Sequence, residues 1–226
     1  MTARKSLADL ASAFNNYASN GTAAPTWKKF FPFWKAPVGS TSIVRFLPDA
    51  NTDNPMGFLV EHLTHELQVN GKREKVACLR MHDQECPICK HSAEVYKDNE
   101  YEGKKYYKKK SYIGQVLVLE TPIEHDVTQK VKLIEFGPAV FKVIQAAFAS
   151  GDMDEPPYEY KNGYNFRIKK SENGEYASYS TSSFSPKPTN VDPILVESLE
   201  LYNLADYRVP PVSKEILETM LLVDRA

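Results

Sequence analysis

The stretch that decides the fold of this chain is GFLVEHLTHELQVNGKREKVACLRMHDQECPIC, residues 57–89. Apolar and polar residues alternate on both sides of Asn70-Gly71, a dipeptide that strongly favours a two-residue β-hairpin turn. We therefore predict two antiparallel strands joined at residues 70–71. Every cysteine of the chain lies near the end of the second strand or in the segment that follows it.

These three cysteines, Cys78, Cys86 and Cys89, form a pattern typical of a metal site. The last two belong to a C-P-I-C knuckle, which directs two thiolates to one ion, and tetrahedral zinc then needs two further ligands. Cys78 supplies one of these, so we expect a histidine to supply the other. An odd number of cysteines in one short window argues against a disulfide framework and for a reducing compartment.

Two histidines are candidates for the fourth ligand. In a hairpin centred on residues 70–71, His65 lies opposite Val76, and the period of two places it on the face that carries Cys78. His62 faces the other way, so the hairpin favours His65 and keeps His62 as the alternative. A site with three cysteines and one histidine has no open position for water, which indicates one structural Zn²⁺.

The sequence contains no pattern typical of a catalytic site. The segment HLTHE, residues 62–66, does not match the metalloprotease pattern H-E-x-x-H, and no histidine begins the H-x-E pattern of zinc deaminases. Phosphate-binding loops, dinucleotide fingerprints and nucleophile elbows are absent as well. We therefore predict that the chain is not an enzyme.

A second functional signal is the mixture of lysines and tyrosines between residues 101 and 112. Single-stranded nucleic acids present phosphates and unstacked base faces together, so a surface that binds them combines cations with aromatic rings. The segment 164–179 repeats this mixture around a second predicted hairpin near Glu172-Asn173-Gly174. Solvated surface lysines are the ordinary explanation for one such segment, but two of them favour nucleic-acid binding.

The rest of the chain predicts a mainly β protein with added helices. Strand-like segments occupy residues 41–48, 112–120 and 130–136, whereas helical patterns occupy 90–99, 138–148, 193–204 and 213–223. The 28 basic and 29 acidic residues nearly balance, so the total charge indicates no partner. No apolar run reaches the roughly 20 residues of a membrane-spanning helix, and we expect no membrane association.

Several of these segments together resemble one known family, the single-stranded DNA-binding (helix-destabilising) proteins of T-even-type bacteriophages. The resemblance runs through most of the chain in order. It rests on ARKS at 3–6, IVRFLP at 43–48, LVEH at 59–62, NGK at 70–72, C-P-x-C at 86–89, KKKSY at 108–112, FG at 136–137, NFRIKK at 165–170, and the pair Tyr176 and Tyr179.

This resemblance implies a fold and a domain organisation. The fold would be mainly β, an OB-fold core with an inserted zinc-binding subdomain and peripheral helices. Residues 1–20 would form a basic arm, and residues 21–226 would form the core, with the zinc subdomain at about 58–100 and the C-terminal helices at about 192–226. The family's zinc ligands are one histidine and three cysteines. Counting back from NGK reaches His65, whereas counting forward through LVEH reaches His62.

The resemblance also implies a function and its residues. The chain would coat and protect single-stranded DNA without sequence preference in phage replication, recombination and repair, in the cytoplasm of the infected host. Its partners would be the DNA, neighbouring copies along the strand, and phage replication and recombination proteins. The DNA cleft would include Arg45, Lys108, Lys109, Lys110, Tyr112, Tyr176 and Tyr179. Cooperative contacts would use Arg4, Lys5 and Ser6.

The chain also departs from the family pattern. Ile113 and Arg73 stand where family members carry aromatic residues, so the set of stacking rings differs. Family members end in a long acidic tail, whereas this sequence stops at LVDRA, and we expect either a truncated chain or a member without that regulation. The alternative function is a zinc-stabilised protein-interaction module that binds no nucleic acid.

Overall fold

The structure is a computed structural model that describes residues 26–123 and 128–225. Within these residues the chain is mainly β, with one large antiparallel sheet and one small hairpin. The strands are β1 (Thr41–Leu47), β2 (Leu59–Val69), β3 (Lys72–Ala77), β4 (Lys109–Glu120), β5 (Val131–Phe136), β6 (Asn165–Lys169), β7 (Ser171–Asn173), β8 (Tyr176–Ser178) and β9 (Ser183–Phe184).

Helices are short and lie around the sheet. They are α1 (Pro87–Asp98), α2 (Glu100–Lys105), α3 (Pro138–Ser150), α4 (Pro193–Glu197) and α5 (Lys214–Asp224). Single 3₁₀ turns occupy Thr26–Lys29, Phe33–Lys35, Leu79–His82 and Leu204–Tyr207. Among the described residues no helix is long and apolar enough to cross a bilayer.

Strand β4 organises the large sheet because it pairs with three neighbours. Its residues 109–114 pair with β2 and its residues 115–120 pair with β1, while β5 pairs with residues 112–117 along the opposite edge. The strand order is β3-β2-β4-β1-β6-β9, with β5 attached to β4. The first half of β4 therefore joins the sheet to β2 and β3, and its second half joins the sheet to β1 and β6.

An aromatic core fills the space between the sheet and α3. The ring of Phe46 is fully buried and lies 5.2 Å from Phe58, 5.5 Å from Phe166 and 6.3 Å from Phe136, measured between ring centroids. Rings at these separations add favourable edge and offset contacts to the area that they bury. This core fixes the middle of the sheet and supports the surfaces described below.

The first predicted hairpin is confirmed. Residues 69 and 72 pair, so Asn70 and Gly71 form the two-residue turn, and both have positive φ angles, 52° and 74°. Such angles characterise the turn type whose twist matches that of the flanking strands. His65 pairs with Val76, as the sequence predicts.

The helix predicted after residue 137 is confirmed as α3. Pro138 is its first residue, where a missing N–H costs no hydrogen bond, and Gly151 ends it with a φ of 72°. In contrast, the pattern at 193–204 does not form one helix. It folds as the short α4, and a separate 3₁₀ turn begins at Leu204.

The second predicted hairpin is only partly right. Strands β7 and β8 pair across a turn at residues 174–175, but the preceding β6 pairs with β1 and β9 of the large sheet. Phe166 and Ile168 explain this, because both side chains are buried in the aromatic core beside β1. Burial of two large apolar side chains outweighs the extension of a local hairpin.

Candidate metal centre and nucleic-acid surface

The four predicted ligands come together in one cluster. His65 Nε2 lies 3.5 Å from Cys86 Sγ and 3.4 Å from Cys89 Sγ, and Cys78 Sγ lies 3.6 Å from Cys89 Sγ. All four ligand atoms lie within 4.8 Å of one another, and the three cysteines are free thiols. The prediction that His65 joins the cysteines is confirmed. We call these four residues the metal cluster.

The spacing of the metal cluster fits one tetrahedral zinc ion. With Zn–S bonds of about 2.3 Å and Zn–N bonds of about 2.0 Å, neighbouring ligand atoms lie about 3.5 to 3.8 Å apart. The three ligand distances given above fall in or just below that range. Disulfide sulfur atoms would lie about 2.05 Å apart, so the sulfur separation excludes a Cys78–Cys89 bridge. The donor set and its geometry can hold one metal ion.

Local secondary structure places each ligand. His65 projects from β2, and Cys78 follows the end of β3, because the hairpin register keeps both on one face. Cys86 is the N-cap of α1 and Cys89 lies in its first turn, with Pro87 as the first helical residue. The positive end of a helix favours negative charge, so this position stabilises thiolates.

Tyr106 orients the imidazole of His65. The Nδ1–H of His65 donates a hydrogen bond of 2.8 Å to the carbonyl oxygen of Tyr106. This bond directs Nε2 towards the cysteine sulfur atoms, as outer hydrogen bonds of metal-bound histidines usually do. Hydrogen bonding from the Cys78 and Cys89 thiols lowers the pKa of Cys86, so the cluster favours a thiolate even before a metal binds.

His62, the alternative ligand, lies on the other face of β2. Its Nδ1 contacts the Glu135 carboxylate at 3.0 Å, and its Nε2 accepts a hydrogen bond of 3.0 Å from the Val209 amide. Nδ1 therefore carries the proton, and both ring nitrogens have partners outside the metal cluster. In this structure His65 lies with the three cysteines and His62 does not.

An apolar shell encloses the metal cluster. Leu67, Leu79 and Ile88 are buried against the cysteines, and helix α5 closes the shell. The residues that α5 contributes are Leu217, Met220 and Leu221. This packing keeps water away from one side of the metal cluster and links the C-terminal helix to it.

The three predicted lysines are all exposed, but they differ in their partners. Lys109 Nζ lies 2.6 Å from a Glu66 carboxylate oxygen, and Lys110 pairs with Glu61. The hydrogen bond from Lys109 lowers the pKa of Glu66. Among the described residues Lys108 has no carboxylate partner, so its ammonium group is the most available to a phosphate.

The expectation that Arg45 contacts DNA is wrong for this structure. Arg45 is 1% exposed, and its guanidinium donates to Asn165 Oδ1 at 3.0 Å and to the carbonyl oxygens of Glu159 at 2.9 Å and Thr189 at 3.1 Å. Burial lowers its pKa to about 10. Arg45 therefore ties β1 to the loops around residues 159 and 189.

The expectation for Tyr112 also needs correction. Its side chain is 4% exposed, and its ring stacks on Phe141 of α3 with the centroids 3.8 Å apart and the planes 4° apart. A ring so covered cannot stack on a base without moving α3. Tyr112 is thus part of the aromatic core.

The two tyrosines of the second hairpin differ in exposure. Tyr176 is 77% exposed at the start of β8. Tyr179 is half-buried, and its ring packs edge-to-face on Phe33 with a centroid distance of 5.1 Å. Tyr176 can therefore meet a ligand directly, whereas Tyr179 supports the segment that contains Phe33.

The comparison with known proteins agrees with these features. A family model described as gp32 DNA binding protein like matches residues 39–220. The chain belongs to this family of T-even-type phage proteins. The matched range contains the whole metal cluster, the three lysines and both tyrosines of the second hairpin.

Two relatives bear the name single-stranded DNA-binding protein. The one from Enterobacteria phage T2 is 27% identical over 197 residues, which cover 81% of this chain and 64% of that protein. The one from Enterobacteria phage T4 is 28% identical over 152 residues, which cover 63% and 50%. The chain thus spans less than two thirds of the length of these relatives. Their names describe binding proteins, in agreement with the prediction that the chain is not an enzyme.

Sequence reasoning about this family member missed one feature beside the metal cluster. Tyr96 and Tyr107 stack with their centroids 5.6 Å apart, and both are exposed. Together with Arg80 and Lys108 they line a groove of about 420 Å³ that reaches Cys89. We call it the tyrosine groove. Tyr96 gave no signal because it lies within the helical pattern, where a tyrosine is usually only a surface residue.

Arg4, Lys5 and Ser6, which the resemblance predicts to make cooperative contacts, lie outside the described residues.

Proposed function

We propose that this chain binds single-stranded DNA without sequence preference and that the tyrosine groove is part of the binding surface. The observation that carries the proposal is the presence of two exposed stacked rings and two cations, Arg80 and Lys108, in one groove. Neither cation has a carboxylate partner within the described part of the chain. Family membership supports the proposal, because both relatives are named as single-stranded DNA-binding proteins.

The chemistry of the tyrosine groove suits a strand of any sequence. Every base has a π face, so stacking on tyrosine contributes about 1 to 3 kcal/mol per base whatever the base is. Arg80 and Lys108 can bind the phosphates on either side of a stacked base. Rings and cations do not read the hydrogen-bonding edge of a base, so we expect affinity to depend on salt more than on sequence.

We further propose that the metal cluster holds one structural Zn²⁺. Three thiolates and one imidazole complete a tetrahedral site and leave no position for water, so zinc would supply stability and not catalysis. Cys89 belongs to the metal cluster and also lines the tyrosine groove. The ion would therefore fix the shape of the groove wall.

For the fold we propose a variant of the OB barrel, with the division into arm, core, zinc subdomain and C-terminal helices given above. The support is strand β4, which pairs with β2 and β1 along one edge and with β5 along the other. A long shared strand of this kind allows a sheet to curve into a barrel.

The wider role follows from the family and is also our proposal. The chain would coat DNA during phage replication, recombination and repair in the host cytoplasm. Neighbouring copies would contact each other through Arg4, Lys5 and Ser6, and phage replication and recombination proteins would bind the coated strand. An interaction module without nucleic-acid binding is the alternative.

Fluorescence anisotropy of a labelled oligo(dT) tests the binding surface. We expect Tyr107→Ala to weaken binding about 5- to 150-fold, the equivalent of one lost stacking contact. Tyr107→Phe keeps the ring and should bind like the wild type. Lys214→Ala, on α5 and paired with Glu85, serves as the matched control for a lysine change such as Lys108→Ala.

Two results of this experiment would count against the proposal. If the wild type does not bind oligo(dT), the function is wrong and the interaction module is favoured. If the wild type binds and Tyr107→Ala binds equally well, the DNA follows another surface.

A further inference from the structure

A second groove lies on the face of the sheet opposite the metal cluster. Because side chains alternate along β2, His65 faces the metal cluster and His62 faces the other side. There His62, Ser111 and Glu135 contribute to the lining of a groove of about 710 Å³. Its volume is within the range of about 300 to 1,000 Å³ that is usual for ligand sites. We call it the back groove.

The segment 28–35 forms one wall of the back groove. The amide of Phe31 donates a hydrogen bond of 2.7 Å to the carbonyl oxygen of Leu133, which holds this segment along β5. Tyr207 and Val209 also line the groove, and the amide of Val209 is fixed by its bond to His62. The segment 28–35 and Val209 are thus each attached to the sheet through a hydrogen bond.

The charges of the back groove are mainly positive. Its lining includes four lysines and a single acid, Glu135; the lysines are Lys28, Lys35, Lys75 and Lys132. The carboxylate of Glu135 is already engaged by Lys75 at 2.8 Å and by the Ser111 hydroxyl at 2.6 Å. An anionic ligand therefore fits this groove, and a cationic one does not.

Trp34 provides an exposed ring at the same place. The residue is 50% exposed, and its ring meets Phe33 in an edge-to-face contact with centroids 5.7 Å apart. The Lys170 ammonium group donates to the carbonyl oxygen of Trp34 at 2.7 Å and to that of Ala36 at 2.9 Å. The backbone that carries the ring is therefore held in place.

An aromatic path connects this ring to the second hairpin. Phe33 contacts Trp34 on one side and Tyr179 on the other, and Tyr179 belongs to the hairpin that exposes Tyr176. The second hairpin, which the sequence predicts to contact DNA, is thus connected through Phe33 to Trp34 at the back groove.

We propose that the back groove is a second contact for the same single strand, in which Trp34 stacks on a base and Lys35 binds a phosphate. This proposal rests on the proposed function. A nucleic acid fits better than an acidic protein because the groove combines an exposed ring with several cations. The N-terminal residues of a second copy fit poorly, because ARKS at 3–6 is itself basic.

The intrinsic fluorescence of Trp34 tests this contact directly. The chain has two tryptophans, Trp27 and Trp34, so a Trp27→Phe variant reports Trp34 alone. We expect saturating oligo(dT) to quench this fluorescence, while the anisotropy of a labelled strand shows that binding is complete. Unchanged Trp34 fluorescence at saturation would overturn the proposal and leave the proposed function intact.

Substitutions supply an independent readout that does not depend on the single-tryptophan variant. Trp34→Ala should weaken oligo(dT) binding about 5- to 150-fold, and Trp34→Phe should restore much of the loss. Lys35→Ala should reduce the log–log salt slope by about 0.7, the value for one phosphate on a single strand. Wild-type affinity and slope in both alanine variants would contradict the proposal, and a wild type that binds no DNA would contradict the proposed function instead.

Discussion

The hydroxyl of Tyr106 donates a hydrogen bond of 2.8 Å to the Asp224 carboxylate at the end of α5. The carbonyl oxygen of the same tyrosine accepts the Nδ1–H of His65. One residue therefore joins the C-terminal helix to a ligand of the metal cluster. Burial, followed by the bond to Asp224, raises the pKa of Tyr106 to about 12, so its hydroxyl stays protonated at neutral pH.

Loss of this hydroxyl should loosen the C-terminal helix. We expect Tyr106→Phe to lower the free energy of unfolding by about 1 kcal/mol, because one partly exposed hydrogen bond is lost. In a protein of this size that corresponds to a decrease in melting temperature of about 2 to 4 °C. Calorimetry of the wild type and of Tyr106→Phe measures this difference in melting temperature. Equal melting temperatures would show that the bond contributes nothing.

Metal content should distinguish the two histidines. His65→Ala removes a ligand and should abolish stoichiometric zinc binding, whereas His62→Ala should retain one zinc per chain. Metal analysis by mass spectrometry after gel filtration measures both. Because ligation energy is folding energy, a strong chelator should also lower the melting temperature of the wild type. Zinc retained by His65→Ala at full stoichiometry would refute the assignment.

Glu135 should make the protein sensitive to acid. Burial alone would raise its pKa, but hydrogen bonds from His62, Lys75 and Ser111 lower it to about 2, from an ordinary value of 4.5. A folded-state pKa below the unfolded one means that the stabilisation is complete above about pH 4.5 and is lost as the pH falls towards 2.

Melting temperatures measured between pH 6 and pH 3 test this. The wild type should lose more stability over that range than Glu135→Gln, which has no carboxylate to protonate. Parallel curves for the two proteins would rule out this role for Glu135.

Substitution of Tyr112 should lower the stability of the fold and should not remove a contact with DNA. Removal of the ring stacked on Phe141 should cost about 3 kcal/mol or more in Tyr112→Ala, as for other large aromatic truncations in a core. Tyr112→Phe keeps the stack and should unfold like the wild type. Urea unfolding measures the difference, and Lys108→Ala is the control that should change DNA binding alone. If Tyr112→Ala unfolds at the same urea concentration as the wild type, Tyr112 is not part of the aromatic core, and the expectation that it contacts DNA stands again.

Local sequence predicted the features that depend on neighbouring residues. The turn at residues 70–71 sets the register of β2 and β3, and the register alone places His65 with Cys78. The C-P-I-C knuckle adds two ligands within one helical turn. For this reason the residues of the metal cluster could be predicted from the amino-acid sequence alone.

Features that depend on distant contacts could not be found in this way. Arg45 lies in a strand whose pattern does not reveal its partners at residues 159, 165 and 189. Tyr112 is covered by a helix that begins 26 residues later, at Pro138. The back groove needs Trp34, β5 and Val209 together, and only the folded chain brings these together.

The salt dependence of oligo(dT) binding tests the central claim most directly, namely that rings and ammonium groups on a metal-supported fold hold a single strand of any sequence. Lys35, Arg80 and Lys108 each neutralise one phosphate in this account, so the slope of log affinity against log salt should be roughly −2 or steeper. Oligonucleotides of mixed sequence should give a similar slope. A slope near zero, or no binding at low salt, would contradict the account.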